Sequence, residues 1–213
     1  GLFGGLFESL FEGLFREEWI RYYKAEEIAG RPLAVYDAID PSIGANESSD
    51  YRAFVKVGRS TDGTIYVLDA DIKKRSVDSL VQTAYLRQAA QPALMIGLET
   101  VGFQSVLMNL FALEGRARGV YLPLREIKNT VNKETRITGL SPLVERGVIR
   151  FRKKHTDQDL LVEQLLCFPS STVNDDGPDA LEMAVSLSQA QAYGRIEYET
   201  VSRRRFAEAR GTY

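Results

Sequence analysis

The segment Leu33-Ala34-Val35-Tyr36-Asp37-Ala38-Ile39-Asp40 constrains the fold most. Its length, its branched and aromatic content and its nearly continuous apolar character predict a strand buried on both faces, which ends at the turn Pro41-Ser42-Ile43-Gly44. Residues 51–57 and 64–69 then read as two strands of a hairpin around Asp62-Gly63, a turn pair that tolerates positive φ at low cost. Downstream the pattern alternates. Residues 76–90 carry Val77, Leu80, Val81, Ala84 and Tyr85 at helical spacing and stop at Pro92, and residues 93–99 form an apolar strand ending in Glu99. A helix over 103–114, a strand over 120–124, a helical stretch over 133–145 in two pieces, a strand over 148–151 and helices over 159–166 and 178–193 complete the prediction. Three antiparallel strands followed by alternating helices and strands imply an α/β fold, a mixed sheet covered by helices on both faces.

A chain of 213 residues supports one core of this kind with short appendages. Residues 1–32 read as an amphipathic segment and connector, 33–193 as the domain and 194–213 as a basic tail. A Leu-Phe pair recurs every four residues from Leu2 to Phe15, a drifting apolar stripe if helical, with glutamates rather than lysines on its polar side; this argues against an anionic membrane. Trp19, Ile20, Tyr22 and Tyr23 extend the apolar signal as a connector that packs on this domain or on another. No run is long and apolar enough to span a bilayer, and no secretory leader is expected. The single cysteine, Cys167, excludes an intramolecular disulfide, fits a reducing compartment and is expected to pack in an apolar run. The net charge of −2 gives no global attraction to a polyanion.

Chemistry is concentrated in carboxylates. Asp40 and Glu99 each end a strand, where open α/β sheets form their crevices, and they meet if those strands are adjacent and parallel. The acidic run Asn174-Asp175-Asp176-Gly177-Pro178-Asp179 opens the last helix; Asp176 and Asp179, three apart, share a face that Met183 and Leu187 continue toward the sheet. Read singly, Asp176 and Asp179 are a cap and a helix-dipole partner, and Asp40 is a turn former. Together these carboxylates form a hard oxygen donor set suited to Mg²⁺ or Mn²⁺, as two ions some 4 Å apart by general precedent. Asp37 competes with Asp40 but points to the other face of a regular strand, and Asp50 is a weaker peripheral candidate. The lone histidine, His155, stands among lysines and is expected to be exposed, which leaves no Ser-His-Asp or Cys-His relay; no Gly-x-x-x-x-Gly-Lys-Ser/Thr loop supports ATP hydrolysis. Arg146, Arg150, Arg152, Lys153 and Lys154 form a basic cluster, with Arg150, Arg152, Lys153 and Lys154 the candidates for contacting DNA phosphates; Arg203, Arg204 and Arg205 are a less specific patch.

Taken in order, Asp40-Pro41-Ser42-Ile43-Gly44 with Asp50-Tyr51, Ile96-Gly97-Leu98-Glu99, Lys133-Glu134-Thr135-Arg136, Leu140-Ser141-Pro142-Leu143, Gly147-Val148-Ile149-Arg150-Phe151 and Phe168-Pro169 with Asn174–Ala180 resemble the nuclease domain of tailed-bacteriophage terminase large subunits over about residues 33–193. The resemblance implies a ribonuclease H-like fold and divalent-metal-dependent cleavage of concatemeric viral double-stranded DNA during genome packaging. It implies metal binding by Asp40, Glu99 and the aspartate-x-x-aspartate-alanine element on Asp176 and Asp179, with Asp175 as a further participant. It also implies an ATPase motor domain, a small subunit and a portal as partners in the cytoplasm of the infected bacterial host. Asn174 stands where the family often has histidine, a group that, unlike asparagine, titrates near neutrality. A junction resolvase and a non-catalytic DNA-binding or assembly module are the alternative readings.

Overall fold

Residues 14–42, 51–99, 104–170 and 173–192 are described in a computed structural model. The central strands form because their apolar residues alternate between two buried faces. The elements are β1 (Arg21–Tyr22), α1 (Ala25–Ile28), β2 (Leu33–Asp40), β3 (Tyr51–Ser60), β4 (Ile65–Lys74), α2 (Val77–Ala90), β5 (Met95–Glu99), α3 (Gln104–Arg118), β6 (Leu124–Ile127), α4 (Lys133–Thr138), α5 (Ser141–Glu145), β7 (Ile149–Phe151), α6 (Gln158–Cys167) and α7 (Asp176–Ala192). They build a seven-stranded mixed sheet in the order β1-β7-β4-β3-β2-β5-β6.

The expected antiparallel start is present: β2 pairs β3, and β3 pairs β4, both antiparallel. Beyond it β5 lies parallel to β2, β6 parallel to β5, and β7 parallel to β4. Thus β2, β4, β5, β6 and β7 all point their carboxyl ends the same way. The two hairpin strands run longer than predicted, to Ser60 and Lys74. Register slips between Lys56 and Val57, where Leu68 is the extra residue of β4, a bulge that the alternation alone does not reveal.

One sheet face packs Tyr36, Ala38, Val55 and Val67 against Ile137 of α4, Val144 of α5, Leu161 and Leu165 of α6, and Leu181 and Val185 of α7. The other packs Ile39, Phe54, Ile96 and Leu98 against Leu80 and Ala84 of α2 and Leu107 and Phe111 of α3. Phe15 and Ile20 are buried in the first of these clusters and Tyr23 beside Tyr66 in a third, so the connector packs on this domain, with Tyr22 alone of its aromatics largely exposed. The repeat before residue 14, Asp50 and the arginine-rich tail lie outside the described residues.

Three expectations need correction. The strand expected over 120–124 is displaced to Leu124–Ile127, because Val120 and Tyr121 are exposed, the Tyr121 ring sits over Gly115, and the edge strand proper carries Arg125 and Glu126. Cys167 does not pack in the core: it shares the solvent side of α6 with Glu163 while Leu161 and Leu165 face inward. His155 is half-buried rather than exposed. Among the described residues no helix is long and apolar enough to cross a membrane.

Candidate metal centre

Parallel pairing sets Ile39 opposite Leu98, so Asp40 and Glu99, one residue on, end neighbouring strands side by side. Parity places both on the α7 face, with Ala38 and Gly97 below them, while Asp37 faces α2. There Asp37 accepts from the Arg87 guanidinium at 3.0 and 3.1 Å and lies 3.6 Å from the Lys56 ammonium. The competition between Asp37 and Asp40 is thereby resolved in geometry: only Asp40 meets Glu99.

Helix α7 supplies the third carboxylate. It crosses β2, β3 and β5 with Met183, Ala184 and Leu187 against the sheet, which brings the buried Asp179 over the strand ends. Its first turn comes this close because residue 177 is glycine. A Cβ there would lie 2.4 Å from Gln164 Oε1 and 2.7 Å from Ile72 Cδ1, and the Gly177 N–H donates to that same Gln164 oxygen at 3.1 Å. Asp40, Glu99 and Asp179 each offer a carboxylate oxygen, all within 4.8 Å of one another.

Asp175 and Asp176 stand at the edge of this group. The Asp176 carboxylate accepts from the Ser42 hydroxyl, which also reaches Asp40 Oδ1 at 3.1 Å, so Asp176 is joined to Asp40 through Ser42. Asp175 accepts the first turn of α7 through its carbonyl, from Asp179 N–H at 3.0 Å, and its side chain pairs with Lys133 at 2.8 Å. Asn174 is exposed.

Two cations that sequence reasoning gave no role complete the site. Asn132 caps α4 by accepting from Thr135 N–H, and Lys133 and Arg136, three apart, project from one face of that short helix. The Lys133 ammonium lies 2.8, 3.3 and 3.8 Å from Asp175, Asp179 and Asp40. Arg136 donates to Asp179 at 2.6 Å and Glu182 at 2.7 Å and lies 3.6 Å from Glu99. Asn129 donates to Glu99 at 2.7 Å. In the sequence they stand out only as part of the family-like segment Lys133-Glu134-Thr135-Arg136, a basic i, i+3 pair with no assigned role.

Burial pushes the Asp40 carboxyl up to about 7; the Lys133 ammonium pulls it down, while Asp179 and Asp176 push it further up. Burial likewise raises Asp176 against the Ser42 hydroxyl and Lys133. Burial alone would lower the Lys133 ammonium, but Asp40, Asp175 and Asp179 outweigh it and hold it above its ordinary range. Asp40 Oδ2 is buried without a hydrogen-bond partner. Three hard oxygen donors, one of them with an orphaned buried atom, fit a Mg²⁺- or Mn²⁺-type cation.

The basic cluster lies elsewhere. Arg150 is in register with Tyr66, Gly58 and Val35 across the sheet. It is therefore three strands from β2 and five residues short of Asp40, about 20 Å away by strand geometry. Arg150 lies over the Tyr66 ring and Lys153 over Tyr22, the backbone N–H of Lys154 points at Asp159, and Arg152 is half-buried.

A mixed seven-stranded sheet of this order, covered by helices on both faces, is a fold shared with terminase nuclease domains. The fold is similar to that of the manganese-soaked, inhibitor-bound nuclease domain of human cytomegalovirus terminase, with a TM-score of 0.64 and 15% identity over 87% of this chain and 99% of that one. It is also similar to the large terminase of bacteriophage HK97, with a TM-score of 0.57 and 15% identity over 82% of this chain and 43% of that one. A mutant nuclease domain of the large terminase subunit gp2 of bacterial virus Sf6, with manganese and β-thujaplicinol, gives a TM-score of 0.56 and 13% identity over 81% and 98%. No protein-family model and no curated protein matches the sequence.

Proposed function

We propose that this chain is a divalent-metal-dependent DNA endonuclease, the nuclease part of a terminase large subunit that cuts concatemeric viral double-stranded DNA during packaging. The observation that carries the reading is the convergence of Asp40, Glu99 and Asp179 within 4.8 Å at the carboxyl ends of β2 and β5. The manganese named with the cytomegalovirus and Sf6 nuclease domains supports it further. Asp40, Glu99 and Asp179 would hold Mg²⁺ or Mn²⁺, with Asp176 and Asp175 at hand for a second ion. Such ions supply water activation and neutralise charge on a phosphodiester during in-line displacement.

The chain's own residues do the rest. Arg136 fixes the Asp179 carboxylate in place through its bond at 2.6 Å and screens it from Glu99. Asn129 fixes Glu99, and Ser42 orients Asp40 through its N–H and hydroxyl, both on Oδ1, which leaves Asp40 Oδ2 without a hydrogen-bond partner. Lys133 supplies positive charge beside Asp40, Asp175 and Asp179, which would offset their repulsion of a phosphate. Sequence choice would rest outside this chain, with an ATPase motor domain, a small subunit and a portal, in the cytoplasm of an infected bacterium.

The test is Mn²⁺-dependent nicking of supercoiled plasmid by the wild-type chain, Asp40→Asn and Asp179→Asn. We expect nicking by the wild type and loss of at least 100-fold in each variant, on the order of one removed electrostatic contribution to catalysis. Equal nicking by all three proteins would sink the assignment.

A further inference from the structure

We infer that Lys74 and Lys128, on opposite sides of the carboxylate group, are a two-sided contact for the phosphodiester backbone; the inference rests on the nuclease reading above. Both stand at the carboxyl-end rim of the sheet. Tyr51 pairs with Lys74, and Asp40 with Ala53, two residues back along β3. Lys74 is therefore two strands from β2 and just beyond the level of Asp40. On the other side Ile127 pairs with Glu99, so Lys128 is two strands from β2 and one residue above the same level. Strand spacing puts each about 10 Å to the side of Asp40, in opposite directions.

That separation matches a nucleic-acid strand laid across the strand ends. Phosphates advance about 3.4 Å along the axis per nucleotide, so with the scissile phosphate over Asp40 and Glu99 each lysine meets the backbone about three phosphates away. Both side chains are available for this. Lys74 and Lys128 are exposed. The Lys74 ammonium sits 5.2 Å from the centre of the half-buried Tyr51 ring, a contact that localises the charge without neutralising it. Lys128 adjoins Asn129, which is tied to Glu99 at 2.7 Å, so its backbone position is set by the site itself.

Neighbouring cations do not qualify. Lys73 is 3.2 Å from Asp71, and Arg75 is 2.6 Å from the same carboxylate. Lys133 and Arg136 are committed to the carboxylates of the centre. Arg150, Arg152, Lys153 and Lys154 sit on the far edge, too distant to flank the same phosphate.

The experiment is fluorescence anisotropy of a labelled 30-base-pair DNA duplex with the full chain, in chelator, across a KCl series. Removing two phosphate contacts lowers the magnitude of the slope of log K against log salt by about 1.8. We expect this for Lys74→Ala/Lys128→Ala and no change of slope for Lys153→Ala/Lys154→Ala. An unchanged slope in the first variant, a lowered slope in the second alone, or no duplex binding by the wild type overturns the inference. Plasmid nicking with Mn²⁺ is read in parallel. Nicking with an unchanged slope rejects the lysine contacts and leaves the nuclease reading intact, whereas a lowered slope without nicking upholds the contacts and rejects that reading.

Discussion

Replacing Lys133 by methionine should tighten divalent-ion binding while weakening the metal-free protein. The ammonium lies within 3.8 Å of Asp40, Asp175 and Asp179, so it is the site's own counter-charge. One such pair at about 4 Å is worth roughly 4 kcal/mol at an effective dielectric of 20. Desolvation offsets much of this, and with 35% of the lysine side chain exposed, solvent screening reduces it further. We take about 2 kcal/mol as the net loss from the metal-free state, or some 4–8 °C in Tm for a chain of this size. A bound divalent ion supplies the missing charge, so the loss does not carry over to the bound state. The gap between the two states therefore widens by the same amount, and the Mn²⁺ dissociation constant falls about 30-fold at pH 8. At pH 6 the gain shrinks, because Asp40, with its carboxyl near 7, takes up a proton instead. Calorimetric titration of Mn²⁺ into both proteins at the two pH values measures this. Unchanged or weaker Mn²⁺ binding by Lys133→Met at pH 8 would refute the reasoning.

Three other outcomes follow from the same geometry. The Asp40 carboxyl is raised from an ordinary 3.8 to about 7, so its contribution to stability is fully present below pH 4 and is lost as pH rises through 7; metal-free denaturation midpoints should fall over that window, and Mn²⁺ binding near pH 6 should release protons, read by calorimetry in buffers of different ionisation enthalpy. Arg136→Ala leaves Glu182 without its buried ion-pair partner and Asp179 with Lys133 alone, and should cost about 3 kcal/mol in urea denaturation; a cost below 1 kcal/mol would show that the guanidinium does not hold them. Gly177→Ala drives a methyl into Gln164 and Ile72 and should cost about 1–3 kcal/mol while lowering nicking, because the first turn of α7, which carries Asp179, must back away from α6 and β4; wild-type nicking with full stability would contradict the close approach.

Much of this arrangement is legible in the sequence because it is carried by local patterns. The apolar run of β2 with a terminal aspartate, and the equivalent run of β5 with a terminal glutamate, place two carboxylates at strand ends, and parity alone separates Asp37 from Asp40. The i, i+3 spacing of Asp176 and Asp179 identifies the helix face, but it does not distinguish them: Asp179, one turn in, is driven onto the sheet, whereas Asp176 reaches Asp40 only through Ser42. What no local pattern encodes is which distant segment closes the site. Lys133 and Arg136 sit on a six-residue helix whose path over the strand ends is set by Ile137 packing under α7. The charged run from Arg150 to Lys154 misleads for the opposite reason: its residues are contiguous in sequence but extend from an edge strand paired with the start of β4.

The contrast between the two aspartates of β2 bears most directly on function. Asp37 and Asp40 are both buried, at 2% and 3% exposure, on the same strand three residues apart. On its face Asp37 is joined by Asp69 and met by Lys56 and Arg87, two acids to two bases, with both Asp37 oxygens bonded and the Arg87 guanidinium also over the Phe54 ring. That cluster is complete and pins α2 to the sheet. On the opposite face Asp40, Glu99, Asp175, Asp176, Asp179 and Glu182 are met by Lys133 and Arg136 alone, six acids to two bases among the described residues. A fold that neutralises one buried aspartate fully has the means to neutralise the other. Leaving the second short of positive charge, with its carboxyl raised and one oxygen orphaned, costs stability that a proton restores at low pH and a divalent cation would restore above it, which is the behaviour the proposed metal site calls for.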